Sequence, residues 1–228
     1  MKAGTSSLRA ALSGHPQVAM PLREPRFFTS RFPKGMEWYL GQFAGFSKDV
    51  LWGEKSANYY ASLVAPERIK AYSPNAKVIF TLRDPVRRAV SQYYHARLRS
   101  GDDARTLEED LDSRAYEWNY FMSYVYRSQY QKHLALFADH FPGDRTLVLI
   151  LEEVIQQPDH WLSVAQDFLG VERLPVVQWP HSNQTRPNLI ESSPVSPATV
   201  ERLREVLAPT TPYIEEYLGR ALPAWRST

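Results

Sequence analysis

Cysteine is absent from this chain of 228 residues, which excludes disulfides and thiolate-bound metal. Such a composition suits a reducing compartment, and a cytoplasmic location is the expectation. No apolar run approaches the ~20 residues that cross a bilayer, and no secretory pattern opens the chain. No transmembrane segment is therefore expected. Charge of one sign is scarce as well. The formal net charge is +2 with acids and bases interspersed, which argues against nucleic acid or a highly sulfated polymer as partner. The histidines show no metal-ligand spacing, so no metal is expected. No repeat or low-complexity tract divides the sequence, and residues 1–228 read as a single domain able to bury a sizeable core.

What the sequence does hold begins at its first residues. Lys2, Ala3, Gly4, Thr5, Ser6 and Ser7 run directly into a helical pattern with Leu8 and Leu12 one turn apart. A Gly-containing turn feeding a helix start points several backbone N–H groups at one spot, where the helix dipole adds positive potential. Lys2 contributes a full charge, and hydroxyls add donors. This is chemistry for a phosphate or sulfate, although the order is not GxxxxGK[ST], because the lysine precedes the glycine. A capped surface helix is the plainer alternative.

The opening helix is expected to stop at Gly14. Leu22–Phe28, LREPRFF, sets one carboxylate, Glu24, among arginines and beside an aromatic pair. Residues 34–43 read as a helix burying Met36, Tyr39, Leu40 and Phe43. Residues 50–52 read as a strand leading into Gly53, Glu54, Lys55 and Ser56. The run 77–82, KVIFTL, predicts a strand buried on both faces. It delivers Arg83, Asp84 and Pro85, with Asp84 as helix cap and Pro85 at the first helical position. The helix over 86–98 carries Ser91. Residues 106–112 and 116–141 read as largely helical, and 146–151, TLVLIL, as a second buried strand. One or two helices fill 154–169, interrupted near Pro158, 174–197 is an irregular loop, and helices close the chain over 199–207 and 212–218. The alternation predicts an α/β fold of P-loop-like, three-layer kind, with a central parallel sheet flanked by helices. Its first strand is expected upstream of residue 1, since a phosphate loop of this kind normally follows a buried strand.

KAGTSSL and LRDPVRRAVSQYY together resemble the PAPS-dependent sulfotransferases, in particular their heparan-sulfate-type and bacterial branch. The resemblance continues through SGHPQVAMPLREPRFF, GEKSANYY, HSNQTRPN and LGRALPAW, in order and nearly end to end. It implies that Lys2 and the cradle Ala3–Ser7 hold the 5′-phosphosulfate of PAPS, and that Arg83 and Ser91 hold its 3′-phosphate. Left to the residues alone, Arg83 reads equally as a partner of Asp84, and Ser91 as a solvated helix serine. Glu24 falls where the family has its catalytic carboxylate in KExHFF, with Arg26 at the histidine position. Lys55 matches the lysine of EKxPxYF, with Ala57 in place of the proline. Asn183, Thr185 and Arg186 match a loop that closes over the nucleotide in relatives.

The implied reaction moves a sulfuryl group from PAPS, leaving PAP, to a hydroxyl of a glycan, glycolipid or small-molecule acceptor. Glu24 would serve as general base, and Lys2 and Lys55 as cations against the charge of the leaving phosphate. Arginines beside Glu24 lower its pKa and burial against Phe27 and Phe28 raises it; the residues alone leave that balance open. Should the base be another residue than Glu24, His15 and His95 are the next candidates. Tyr39, Tyr59, Tyr120 and Tyr124 either line an acceptor cleft or belong to the core. The alternatives are a P-loop nucleotide kinase using ATP, with Asp84 holding magnesium, and a non-catalytic nucleotide-binding protein.

Overall fold

The computed structural model describes residues 2–118, 122–175 and 194–226. These residues cluster into two compact units. The first holds residues 3–81 and 136–175, and the second holds Lys2 with 82–118, 122–135 and 194–226.

In the first unit, α1 (Thr5–Ser13) ends on Gly14 as expected. Leu8 and Leu12, one turn apart, enter a core with Val18, Leu149, Val154, Leu162 and Ala165. Each such leucine contributes ~1.5–3 kcal/mol of apolar burial. Strand β1 (Val18–Ala19) pairs in parallel with β2 (Leu51–Trp52), in the register Val18↔Leu51. The Leu51 amide donates to Gln17 O and the Gly53 amide to Ala19 O, both at 2.9 Å. Strands β3 (Val78–Leu82) and β4 (Thr146–Ile150) form a second two-stranded pair. Helices α7 (Leu151–Gln156) and α8 (Pro158–Leu169) follow β4, with the break at Pro158 where the sequence predicts it.

A second core of the first unit is aromatic. Phe27 and Phe28 are buried against Phe32, Met36, Trp38, Tyr39 and Tyr59. The rings of Phe27 and Tyr39 stack at 4.7 Å. Helix α2 (Gly35–Gly41) turns Met36 and Tyr39 toward this cluster, and α3 (Ala65–Tyr72) adds Ala65 and Ile69. Leu40 departs from expectation: it is 49% exposed, although it shares the i, i+3, i+4 face with Met36 and Tyr39.

The second unit opens with α4 (Pro85–Ser100), whose N-cap is Asp84; its side chain accepts from the Arg87 amide at 2.7 Å. Helix α5 (Leu107–Asp112) starts with a capping box between Thr106 and Glu109. Helices α6 (Tyr130–Ala138, which runs on into the first unit), α9 (Pro197–Leu207), α10 (Thr210–Leu218) and α11 (Pro223–Arg226) complete it. The core gathers Ala89, Tyr93, Leu107, Leu111, Tyr124, Val125, Leu203 and Leu207.

Two expectations need correction. The run 77–82 is not buried on both faces throughout: Phe80 and Leu82 are buried, while Val78 and Ile79 are half-buried. Nor is 116–141 as largely helical as expected. Its described residues hold short 3-10 turns at Ala115–Glu117 and Tyr126–Ser128 before α6. Side chains capture the backbone there and compete with the helical ladder. Asp110 accepts from Ser123 Oγ (2.8 Å) and the Val125 amide (3.0 Å), and buried Arg88 donates to Tyr124 O and Ser128 Oγ. No helix of the described residues is long and apolar enough to cross a membrane.

Candidate active site

The first unit brings Ser6, Glu24 and Lys55 together. Gly4 caps α1 at φ +82°, and the amides of Ser7 and Leu8 close the first turn on its carbonyl at 3.0 and 3.1 Å. The amides of Thr5 and Ser6 precede that closure, where a helix supplies no acceptor of its own. The first turn carries hydroxyls and no carboxylate, so the positive end of the dipole is left for an anion. A Cβ on Gly4 would lie 2.7 Å from Leu151 Cδ1. Gly4→Ala should therefore cost about 1–2 kcal/mol, from the left-handed backbone alone. For a chain of this size that is a fall in Tm of roughly 2–8 °C, and an unchanged melting curve would refute the strained-cap reading.

Glu24 reaches the same place from the exit of β1. Arg9 on α1 donates to Pro21 O (3.0 Å) and Leu22 O (2.6 Å), tying the segment before Glu24 to the helix. Phe27 and Phe28 anchor the segment after it. Between them Arg26 sits at φ +51°, left-handed for a non-glycine residue, which costs ~1–2 kcal/mol and must be held by its surroundings.

Lys55 leaves β2 three residues after Trp52. Its Nζ lies 2.5 Å from Glu24 Oε1 and donates to Ser6 Oγ at 3.3 Å. Arg26 Nε is 3.4 Å from Glu24 Oε2. Burial pushes the Glu24 carboxyl up, but the Lys55 hydrogen bond and charge, with help from Arg26 and the Ala57 amide, outweigh it and hold the carboxyl below its usual range. The balance that residue types alone leave open is thus settled by Lys55 more than by the arginines beside Glu24 in sequence.

Glu54, next to Lys55, has no assigned role in the sequence reading and lies half-buried in the site. Ser56 Oγ donates to its Oε2 (2.6 Å) and Tyr59 OH to its Oε1 (2.7 Å). Tyr39 bonds to it as well. Burial drives the Glu54 carboxyl up, and these hydrogen bonds oppose that. Tyr39 and Tyr59 are thereby core residues with polar tips, as is Tyr124, whose hydroxyl donates to Arg105 O at 2.8 Å. Tyr120 lies outside the described residues. His15 is also structural: Nδ1 accepts from the Gln17 amide (3.1 Å) and Nε2 meets Glu172 O (2.8 Å).

In the second unit, Lys2 stands at φ +67° and Arg83 Nη1 contacts its carbonyl at 3.5 Å. Burial and then the Arg83 charge lower the Lys2 pKa, as expected of two cations sharing one place. Tyr130 OH donates to Arg83 O (2.6 Å) and accepts from the Arg83 amide (3.4 Å), fixing the backbone that carries the guanidinium. Asp84 caps α4, its side chain accepting from the Arg87 amide. Ser91 on α4 is buried, not solvated. Asn183, Thr185 and Arg186 lie outside the described residues.

The sulfotransferase domain family matches residues 1–188 of the chain. Mouse heparan sulfate glucosamine 3-O-sulfotransferase 3B1 is 32% identical over 196 residues, covering 81% of this chain and 48% of its own. The human 3B1 enzyme is 33% identical over the same share of this chain. The chain therefore spans about half the length of these relatives. Among solved structures, a sulfotransferase from Alicyclobacillus acidocaldarius superposes with a TM-score of 0.78 at 26% identity, covering 99% of this chain and 95% of that one. Matched by the family model over residues 1–188 and 33% identical to the human enzyme over 81% of its length, this α/β chain belongs to the sulfotransferase domain family.

Proposed function

We propose that the chain moves a sulfuryl group from PAPS to a hydroxyl of a saccharide acceptor, with Glu24 as general base. The observation that carries this reading is the reach of Lys55 Nζ to both Glu24 (2.5 Å) and Ser6 (3.3 Å). It joins a carboxylate held ionised to a turn built for an anion. The positive-φ cradle at Gly4 and the carboxylate-free first turn of α1 suit a sulfate or phosphate group.

PAPS supplies, when bound, a sulfuryl group on a phosphate leaving group. The chain's own residues do the rest. Glu24 accepts the proton of the attacking hydroxyl. Lys55 and Lys2 bring positive charge to the phosphosulfate end, together with the amides of Ala3–Ser7. Arg83 and Ser91 are assigned to the 3′-phosphate, where a guanidinium fork and a hydroxyl suit a dianion. Relatives named for heparan sulfate support a saccharide acceptor. The net charge of +2 favours one less anionic than heparan sulfate itself. The same reading takes the α/β fold to be of the P-loop-like three-layer kind, a view the parallel β1–β2 pair supports.

Transfer of label from PAPS to an acceptor panel tests the activity, and it should persist in excess EDTA. Calorimetry tests the donor. Wild-type chain should prefer PAP to AMP, and Arg83→Ala should lose ~1.5–3 kcal/mol of PAP affinity, about 10- to 100-fold, with AMP nearly unchanged. Equal wild-type affinity for PAP and AMP would sink the 3′-phosphate assignment. Activity abolished by chelator and restored by magnesium would return the kinase alternative.

A further inference from the structure

We propose that Glu54 is a positioning residue whose half-buried carboxylate aligns the loop that carries Glu24. The inference rests on the proposed sulfuryl transfer and adds to it a residue that acts through Ser56 and Tyr59.

Two strands of argument meet at Glu54. The first is the wiring. Ser56 Oγ donates to Glu54 Oε2 (2.6 Å) and accepts from the Arg26 amide (2.8 Å). Tyr59 OH donates to Glu54 Oε1 (2.7 Å) and accepts from the Phe28 amide (3.2 Å). The carboxylate thus fixes the Ser56 and Tyr59 hydroxyls, one at each oxygen and beside the Tyr39 bond, and each of these two fixes one amide two or four residues beyond Glu24. Asn58 adds a further tie to the same loop, donating to Thr29 Oγ1 at 2.6 Å. The second is the conformation being held. Arg26, whose amide hangs on Ser56, is the left-handed residue of the loop at φ +51°, so the loop does not rest in this shape by itself.

Hydroxyl chemistry makes the carboxylate specific. A Ser or Tyr hydroxyl has a single proton. Only when that proton points at Glu54 do the lone pairs face the Arg26 and Phe28 amides. An ionised carboxylate accepts from both hydroxyls at once. A glutamine accepts from one and presents N–H to the other, which must then turn its proton toward an amide that is itself a donor. Glu54→Gln keeps the shape and breaks one arm.

The expected result is a kcat about tenfold lower in Glu54→Gln, with KM for acceptor and PAP affinity close to wild type, since a misaligned base slows the step rather than binding. Tyr59→Phe, which deletes one hydroxyl, should lower kcat in the same manner. The double variant should be little worse than Glu54→Gln alone, because both changes cut one chain of hydrogen bonds. Melting curves establish folding, and if Glu54→Gln does not fold, Tyr59→Phe and Ser56→Ala decide by the same kcat-against-KM comparison. A folded Glu54→Gln with wild-type kcat overturns the role of Glu54, and so do losses that simply add or that fall on KM. A wild-type chain that moves no label from PAPS overturns instead the transfer reading, and the role of Glu54 with it.

Discussion

Replacing Glu24 with glutamine should lower kcat by at least ~10²-fold, the usual contribution of general-base catalysis, while PAP affinity stays close to wild type. The substitution keeps the size of the side chain and the Lys55 contact in weaker form, and removes the proton acceptor. The base should be ionised throughout the neutral range. Burial works against this, but the hydrogen bond and charge of Lys55, then the charge of Arg26, bring the Glu24 carboxyl below its usual value. The acid limb of wild-type kcat/KM should accordingly lie below the ordinary carboxylate range. The linked stability has the same sign. A carboxyl with a depressed folded-state pKa stabilises the fold above its unfolded pKa, near the model-peptide value of about 4.3, and loses that contribution as pH falls through the folded value. Near wild-type transfer by Glu24→Gln would move the base elsewhere, with His95 first in line. Burial, then the charges of Lys2 and Arg99, lower the His95 pKa and keep its ring neutral near pH 7. His15 has both ring nitrogens engaged and is the weaker substitute. A parallel collapse of PAP binding would mean that the substitution disturbs the architecture of the site rather than proton transfer alone.

Local grammar was readable wherever the chemistry is local. Gly4 before a hydroxyl-rich helix start, the stop at Gly14, the Asp84-Pro85 helix entry and the break at Pro158 all stand where adjacent residues call for them. What escaped is set by pairing across distance. Read along the chain, Glu24 belongs to Arg23 and Arg26; in the fold its nearest cation is Lys55. The reason is the parallel register Val18↔Leu51. Parallel strands exit at the same end, so the segments after Ala19 and after Trp52 emerge side by side. Glu54 was missed for the same reason, because its meaning lies in Ser56 and Tyr59 reaching the Arg26 and Phe28 amides. The signal available in sequence was an acid directly beside a motif lysine with two hydroxyl residues close behind. The largely helical reading of 116–141 failed for the same reason. Residue pattern alone does not reveal that Arg88 and Asp110 claim the backbone groups such a helix would use.

Lys55→Ala should show the second large effect, a loss of ~10²–10³ in kcat/KM, as found when one preorganised group facing developing charge is removed. It should also move the pH profile, and that shift separates Lys55 from a residue that only binds the donor. With Lys55 gone, burial continues to push the Glu24 carboxyl up while its largest opposing partner is missing. The acid limb should therefore rise toward neutral pH, and the Glu24 contribution to stability should be lost at a higher pH than in wild type. Lys55→Arg keeps the charge and should hold the limb low. Its rate should still fall, because a planar fork does not reproduce a compact ammonium set between Glu24 Oε1 at 2.5 Å and Ser6 Oγ at 3.3 Å. An acid limb that stays in place in Lys55→Ala would mean that the ion pair does not control the base. A full rate in the same variant would remove Lys55 from the chemistry, and the link between the phosphate turn and the carboxylate would lose its functional meaning.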